Sequence, residues 1–156
     1  VISPNGKWAC AGAQDSEVHL WKLWSGKDLS MSGYQSKIER IAFSNDSRWL
    51  AVACLGDLTI WDFSGKGPAG KEPAASSQHN NHIEDLAWSP SCESIATGGA
   101  DGRTIVWGKP TKAGQKLLPV TMIGASVATS RLRWISEDSL LVGREDGSLV
   151  KIIIKD

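Results

Sequence analysis

Apolar and polar residues alternate over short runs in this chain, and no stretch of a dozen residues has capped helical periodicity. IERIAF (38–43) and HIEDLAW (82–88) have the alternating character of half-buried strands. SPNGK, SNDSR and SPSCE carry the Asn, Asp, Pro and Gly of tight turns. DGRTIVW (101–107) and DGSLVKI (146–152) place Gly in a hairpin turn and follow it with a β-branched strand. The pattern predicts an all-β protein.

The strands also recur as a set. Ile41 to Phe63 and Leu86 to Gly108 read in the same order: an apolar-Ala-aromatic-Ser start, a polar turn, a small-residue strand, a Gly turn, then Thr-Ile and Trp. The same order runs from Ile2 to Leu23 and from Leu132 to Ile153. The closing anchors fall at Trp21, Trp61, Trp107 and Ile152, which are 40, 46 and 45 residues apart. The opening anchors Phe43, Trp88 and Trp134 are 45 and 46 apart. A strand-only period of this length predicts a propeller of four-stranded blades.

Composition narrows the function. Eight Trp against two Phe and one Tyr fit a repeated positional use of Trp. Lys plus Arg and Asp plus Glu number 17 each, without the basic excess of a nucleic-acid binder. There is neither a membrane-length apolar run nor a visible signal peptide. Cys10, Cys54 and Cys92 are odd in number and lack close-paired spacing, which argues against a disulfide framework or zinc ribbon and for a cytoplasmic setting. No cofactor is implied. GKGPAGK (65–71) lacks the ending of a phosphate loop.

The stretch closest to chemistry is QHNNHIED (78–85), with two histidines beside two carboxylates. One alternative reading is a metal-handling or enzyme-associated site using His79 and His82, with Glu84 or Cys92 as further ligand. A six-residue strand, roughly 17–20 Å, separates Cys92 from His82 and weakens it. No nucleophile–base–orienter set is visible, so no catalytic residue and no metal site is assigned.

In register, the four copies resemble WD40 repeats, and the resemblance covers nearly the whole chain. Trp-Asp itself survives only at Trp61-Asp62; the other copies read Trp21-Lys22, Trp107-Gly108 and Ile152-Ile153. The resemblance implies an all-β, WD40-type β-propeller segment of about three and a half four-stranded blades in an incomplete ring. Its divisions are a partial blade over 1–31 without an inner strand, a second over 32–76 with a mobile Gly/Pro-rich loop at 64–77, a third over 78–123, and a last over 124–156 without an outer strand. The resemblance makes the chain's end look natural and its start look cut. Missing N-terminal blades, or a second copy, would then close the ring.

The resemblance also implies a structural tetrad of His79, Thr97, Asp101 and Trp107. The second copy has Tyr34, Val52 and Leu55 at the matching positions and keeps only Trp61, so packing alone should hold it. The fourth keeps Asp146, with Ala125, Val142 and Ile152 elsewhere. The first keeps Asp15 and Trp21, with Cys10 at the hydroxyl position. A partner-binding wide face would comprise Gln14, Gln35, Lys37, Cys54, Asn80, His82, Ala100, Ser126, Ala128 and Glu145. His82 is expected to be free there, so that its removal changes binding alone. Trp24 has no counterpart and is a further candidate contact. The implied function is a non-catalytic scaffold that binds proteins or peptides, with neither nucleic acid nor membrane as partner.

Overall fold

The computed structural model describes residues 1–154, which form fourteen β-strands and no helix. The strands make four antiparallel sheets, each a meander in chain order. The first contains β1 (Trp8–Gly12), β2 (Val18–Lys22) and β3 (Lys27–Met31). The second contains β4 (Arg40–Phe43), β5 (Trp49–Cys54), β6 (Asp57–Asp62) and β7 (Ala74–Ser77). The third runs β8 (Ile83–Trp88), β9 (Ser94–Gly99), β10 (Thr104–Gly108) and β11 (Pro119–Ile123). The fourth has β12 (Thr129–Trp134), β13 (Ser139–Arg144) and β14 (Leu149–Ile153).

The sheets stack as blades, and the two-residue strand period explains how. In β5 all six residues are buried, because the strand is covered on both faces. Leu50 and Val52 join Trp8, Cys10, Val18, Leu20 and Phe63 in the core between first and second blades. Trp49, Ala51 and Ala53 point the other way, into a core with Ile83, Trp88, Ile95 and Trp107 of the third blade. A third cluster joins Ala96 and Val106 to Leu132, Leu140 and Ile152 of the fourth. The opening aromatics add polar ties between blades: Trp88 Nε1–H donates to Ala42 O (3.1 Å) and Trp134 Nε1–H to Ala87 O (2.9 Å).

The four blades form an open arc. Val18 and Leu20 face the second blade, so Trp21 lies on the opposite side of β2. There it is 44 % exposed, although its place in the repeat suggests a buried anchor. No described sheet packs on that side. Leu149 and Ile153 of the fourth blade are likewise exposed.

Two segments outside the main strands, 64–73 and 109–118, make specific contacts. Within 64–77, expected to be mobile, Gly67 and Pro68 are buried. A methyl group on Gly67 would overlap the Trp8 ring. Lys71 Nζ donates to Asp62 O (3.0 Å) and Ser64 O (2.8 Å). These contacts pin the loop at Gly67 and Lys71. The segment 109–118, between β10 and β11, covers the outer edge of the second blade, one of the ways an exposed strand edge is protected. Ala75 N–H donates to Gln115 O (3.1 Å), Leu117 N–H to Ala75 O (2.9 Å), and Gly114 N–H to Glu72 O (3.1 Å). Leu117 itself is 1 % exposed in the core between second and third blades.

Candidate functional site

The third blade carries a continuous hydrogen-bonded chain from its rim to its interior. His79 lies in the connection before β8, Thr97 in β9, Asp101 in the β9–β10 turn and Trp107 in β10. Trp107 Nε1–H donates to Thr97 Oγ1 at 2.9 Å. Thr97 Oγ1 is 2.9 Å from His79 Nε2, and His79 Nδ1 is 3.0 Å from Asp101 Oδ1. One proton arrangement satisfies every member: Thr97 donates to Nε2, and Nδ1–H donates to the carboxylate. The ring is then neutral. Burial pulls the His79 pKa below its ordinary value despite the neighbouring carboxylate. Burial also disfavours ionised Asp101, but hydrogen bonds from Asn80 N–H, His79 and Arg103 N–H outweigh it and lower its pKa. Both nitrogens of His79 are thus engaged, and neither offers a lone pair to a metal.

The second blade builds a different chain from different residues. Trp61 Nε1–H donates to Tyr34 Oη at 2.8 Å, and Tyr34 Oη lies 3.1 Å from Thr59 Oγ1. Burial raises the Tyr34 pKa, so the phenol keeps its proton and can pass the bond on. The expectation that packing alone holds this blade is therefore corrected. The closing Trp61 thus donates to Tyr34 itself, and the hydroxyl of the chain has moved from β5, where Val52 stands, to Thr59 on β6. Tyrosine reaches it because it is longer than histidine.

Of the face candidates, the structure brings Gln14, Lys37 and His82 together. With Ile38, Glu39, Arg40 and Glu84 they line a cleft of about 530 Å³ to which three blades contribute. His82 Nδ1 lies 2.5 Å from Glu39 Oε1. Glu39 is only 12 % exposed, and its Oε2 is buried without a partner. Deleting His82 would strand a nearly buried carboxylate, so His82 is not free and its loss carries a stability cost. Glu39 escaped the sequence reading. The signal was present in the matching Ile-Glu pairs at Ile38-Glu39 and Ile83-Glu84.

The other candidates lie outside this cleft. Cys54 is corrected as a face residue: it is 3 % exposed, and its thiol donates to Ser36 O at 3.3 Å. Gln35 lines a smaller groove with Tyr34, Thr59 and Trp61. Ala100 N–H donates to His82 O (2.8 Å), and Glu145 N–H to Ala128 O (3.1 Å), so these positions tie loops together. Asn80, Ser126 and Glu145 are exposed. Trp24 is 94 % exposed, with its indole N–H on Gly6 O at 3.2 Å. Asp15, Glu17 and His19 each hold a ligand atom within 4.8 Å of the others in the β1–β2 hairpin. Asp15 already accepts from Glu17 N–H and pairs with His19 Nε2 at 2.9 Å.

Comparison with known proteins places this geometry. The family model described as "WD domain, G-beta repeat" matches residues 1–22, 27–62 and 71–108. The chain is similar to small ribosomal subunit protein RACK1z of Arabidopsis thaliana, 29 % identical over 123 residues, which cover 69 % of this chain and 38 % of that protein. It is 30 % identical over 113 residues to small ribosomal subunit protein RACK1 of Drosophila melanogaster, covering 69 % and 35 %. It is 31 % identical over 111 residues to a 66 kDa stress protein of Physarum polycephalum, covering 68 % and 18 %. The matched region thus spans well under half of each relative's length. On the matched repeats, and on four antiparallel sheets stacked through apolar faces, the chain belongs to the WD40-repeat family.

Proposed function

We propose that this chain is a non-catalytic interaction module that binds partner proteins or peptides at the cleft where inner strands β4 and β8 begin. One observation carries the reading: Gln14, Lys37 and His82, from three successive blades, converge on that cleft beside Glu39 and Glu84. Such a surface offers both charge signs and amide hydrogen bonds to a polar segment. The rigid arrangement of blades beneath limits the ordering cost of binding. The histidine chain supports this role from behind, since it fixes the loop from which His82 projects.

Two relatives are named as small ribosomal subunit proteins, which makes a large ribosomal assembly the first partner to test. The test compares co-sedimentation of the intact protein and its Lys37→Glu variant with purified small ribosomal subunits, and quantifies co-purified partners by mass spectrometry. Lys37 is exposed, so the variant should melt like the parent. The reading expects Lys37→Glu to lower recovery of a defined partner at least about tenfold, equivalent to about 1.4 kcal/mol. Identical partner profiles for parent and variant would rule it out.

A further inference from the structure

The second blade's outer edge is sealed by the chain itself. Gln115 and Leu117 pair with Ala75, and Leu117 fills the core formed with Ile60, Ala74 and Trp107. One blade earlier, the matching position is open. Strand register establishes the match: Leu20 pairs with Leu29 as Ile60 pairs with Ala74, and His19 pairs with Ser30 as Thr59 pairs with Ala75. Trp61 stands where Trp107 stands. Ala75 directs its N–H and C=O away from β6, so Ser30 in the same register directs its own away from β2.

The exposures reflect a socket without its plug. Leu29 is 39 % exposed where Ala74 is 1 % exposed, and Trp61 is half-buried where Trp107 is 1 % exposed. Ten residues beyond the closing Trp the third blade supplies Leu117, but the second supplies Lys71. The Lys71 amine turns back to Asp62 and Ser64. Among the described residues, Ala69 to Lys71 make no backbone hydrogen bond to β3; they form the far wall of a groove of about 280 Å³. Leu20, Leu29, Met31 and Trp61 line its other side.

We propose that this rim groove binds an extended peptide segment of a partner protein. The segment adds to β3 through Ser30 N–H and C=O and seats a leucine-sized side chain against Leu20, Leu29, Met31 and Trp61. Strand addition of this kind takes affinity from main-chain bonds and specificity from the side-chain socket. The chain's own Gln115–Leu117 segment is the template for the occupant. The groove shares no lining residue with the polar cleft, so each site can fail without the other.

The probe is a fluorescein-labelled peptide with the sequence of residues 113–118, titrated by anisotropy against the intact protein. Saturable binding is expected, weakened at least about tenfold when the peptide carries Leu117→Ala. Ser30→Pro in the protein should cause a similar loss, because an edge strand tolerates proline but loses the outward donor. Leu29→Glu, at an already exposed side chain, provides a second disruption if Ser30→Pro unfolds the sheet. Lys37→Glu should leave peptide affinity unchanged. No saturable binding, or binding indifferent to both groove variants, would overturn the proposal. So would a groove-dependent dimer in sedimentation, which would identify a second copy as the occupant.

Discussion

Thr97→Val removes the middle of the histidine chain while keeping the side chain's shape. Thr97 is fully buried, and its oxygen lies 2.9 Å from both Trp107 Nε1 and His79 Nε2. The valine leaves an indole donor and an imidazole acceptor buried without partners. Each such group costs about 1–3 kcal/mol. Because the two losses share one atom and relax together, a destabilisation of about 3 kcal/mol is expected. At about 2–4 °C per kcal/mol for a domain of this size, melting should fall by roughly 6–12 °C. Thr104 supplies the control: it is 1 % exposed, and its Oγ1 is buried without a partner. Thr104→Val removes an unsatisfied hydroxyl and should be neutral or stabilising by up to about 1 kcal/mol. Urea unfolding followed by tryptophan fluorescence measures both. Equal losses for the two variants would refute the hydrogen-bond argument and assign both effects to packing.

Tyr34→Phe should destabilise by about 1–2 kcal/mol, since Trp61 Nε1–H then loses its acceptor; unchanged urea unfolding would return the second blade to packing alone. Acid should also weaken the fold in two stages. Native His79 resists protonation, so below about pH 6.5 the unfolded chain binds more protons and stability falls as pH drops, until the native ring itself protonates. Asp101, whose pKa is depressed in the fold, adds a further loss at lower pH as its carboxylate is protonated. The change in melting temperature between pH 7.5 and pH 5.5 should shrink in His79→Gln, and an unchanged slope would contradict this assignment. Limited trypsin digestion should cut first after Lys112, in the exposed run 111–114, rather than after Lys71, whose amine is tied down; first cleavage after Lys71 would show that the pinned loop is free.

The blades were legible in the sequence because their signals are local and periodic. Strand alternation, turn residues and the spacing of Trp61 and Trp107 all lie within one repeat. The residues of the third-blade chain were legible only through the resemblance to WD40 repeats, which assigns roles to His79, Thr97, Asp101 and Trp107. What escaped depends on contacts between repeats or on a change of chemistry within one. Tyr34 uses Thr59 because a longer side chain reaches a different strand, which a position-by-position reading marks only as a loss. Leu117 lies in the connection between β10 and β11, yet it completes the core of the preceding blade. Cys54 occupies a face position in register, but its thiol turns inward to Ser36 O. Glu39 pairs with His82 across 43 residues, a contact that no single repeat could reveal.

The proposed recognition surface is where Gln14, Lys37 and His82 meet. Its most direct test is a photo-crosslinking residue installed at position 37 of the intact protein in its native cell, with position 112 as the control. A discrete crosslinked protein partner is expected from position 37, reproduced from position 14 and absent from position 112. Crosslinks from position 112 alone, or none from 37 and 14, would contradict it.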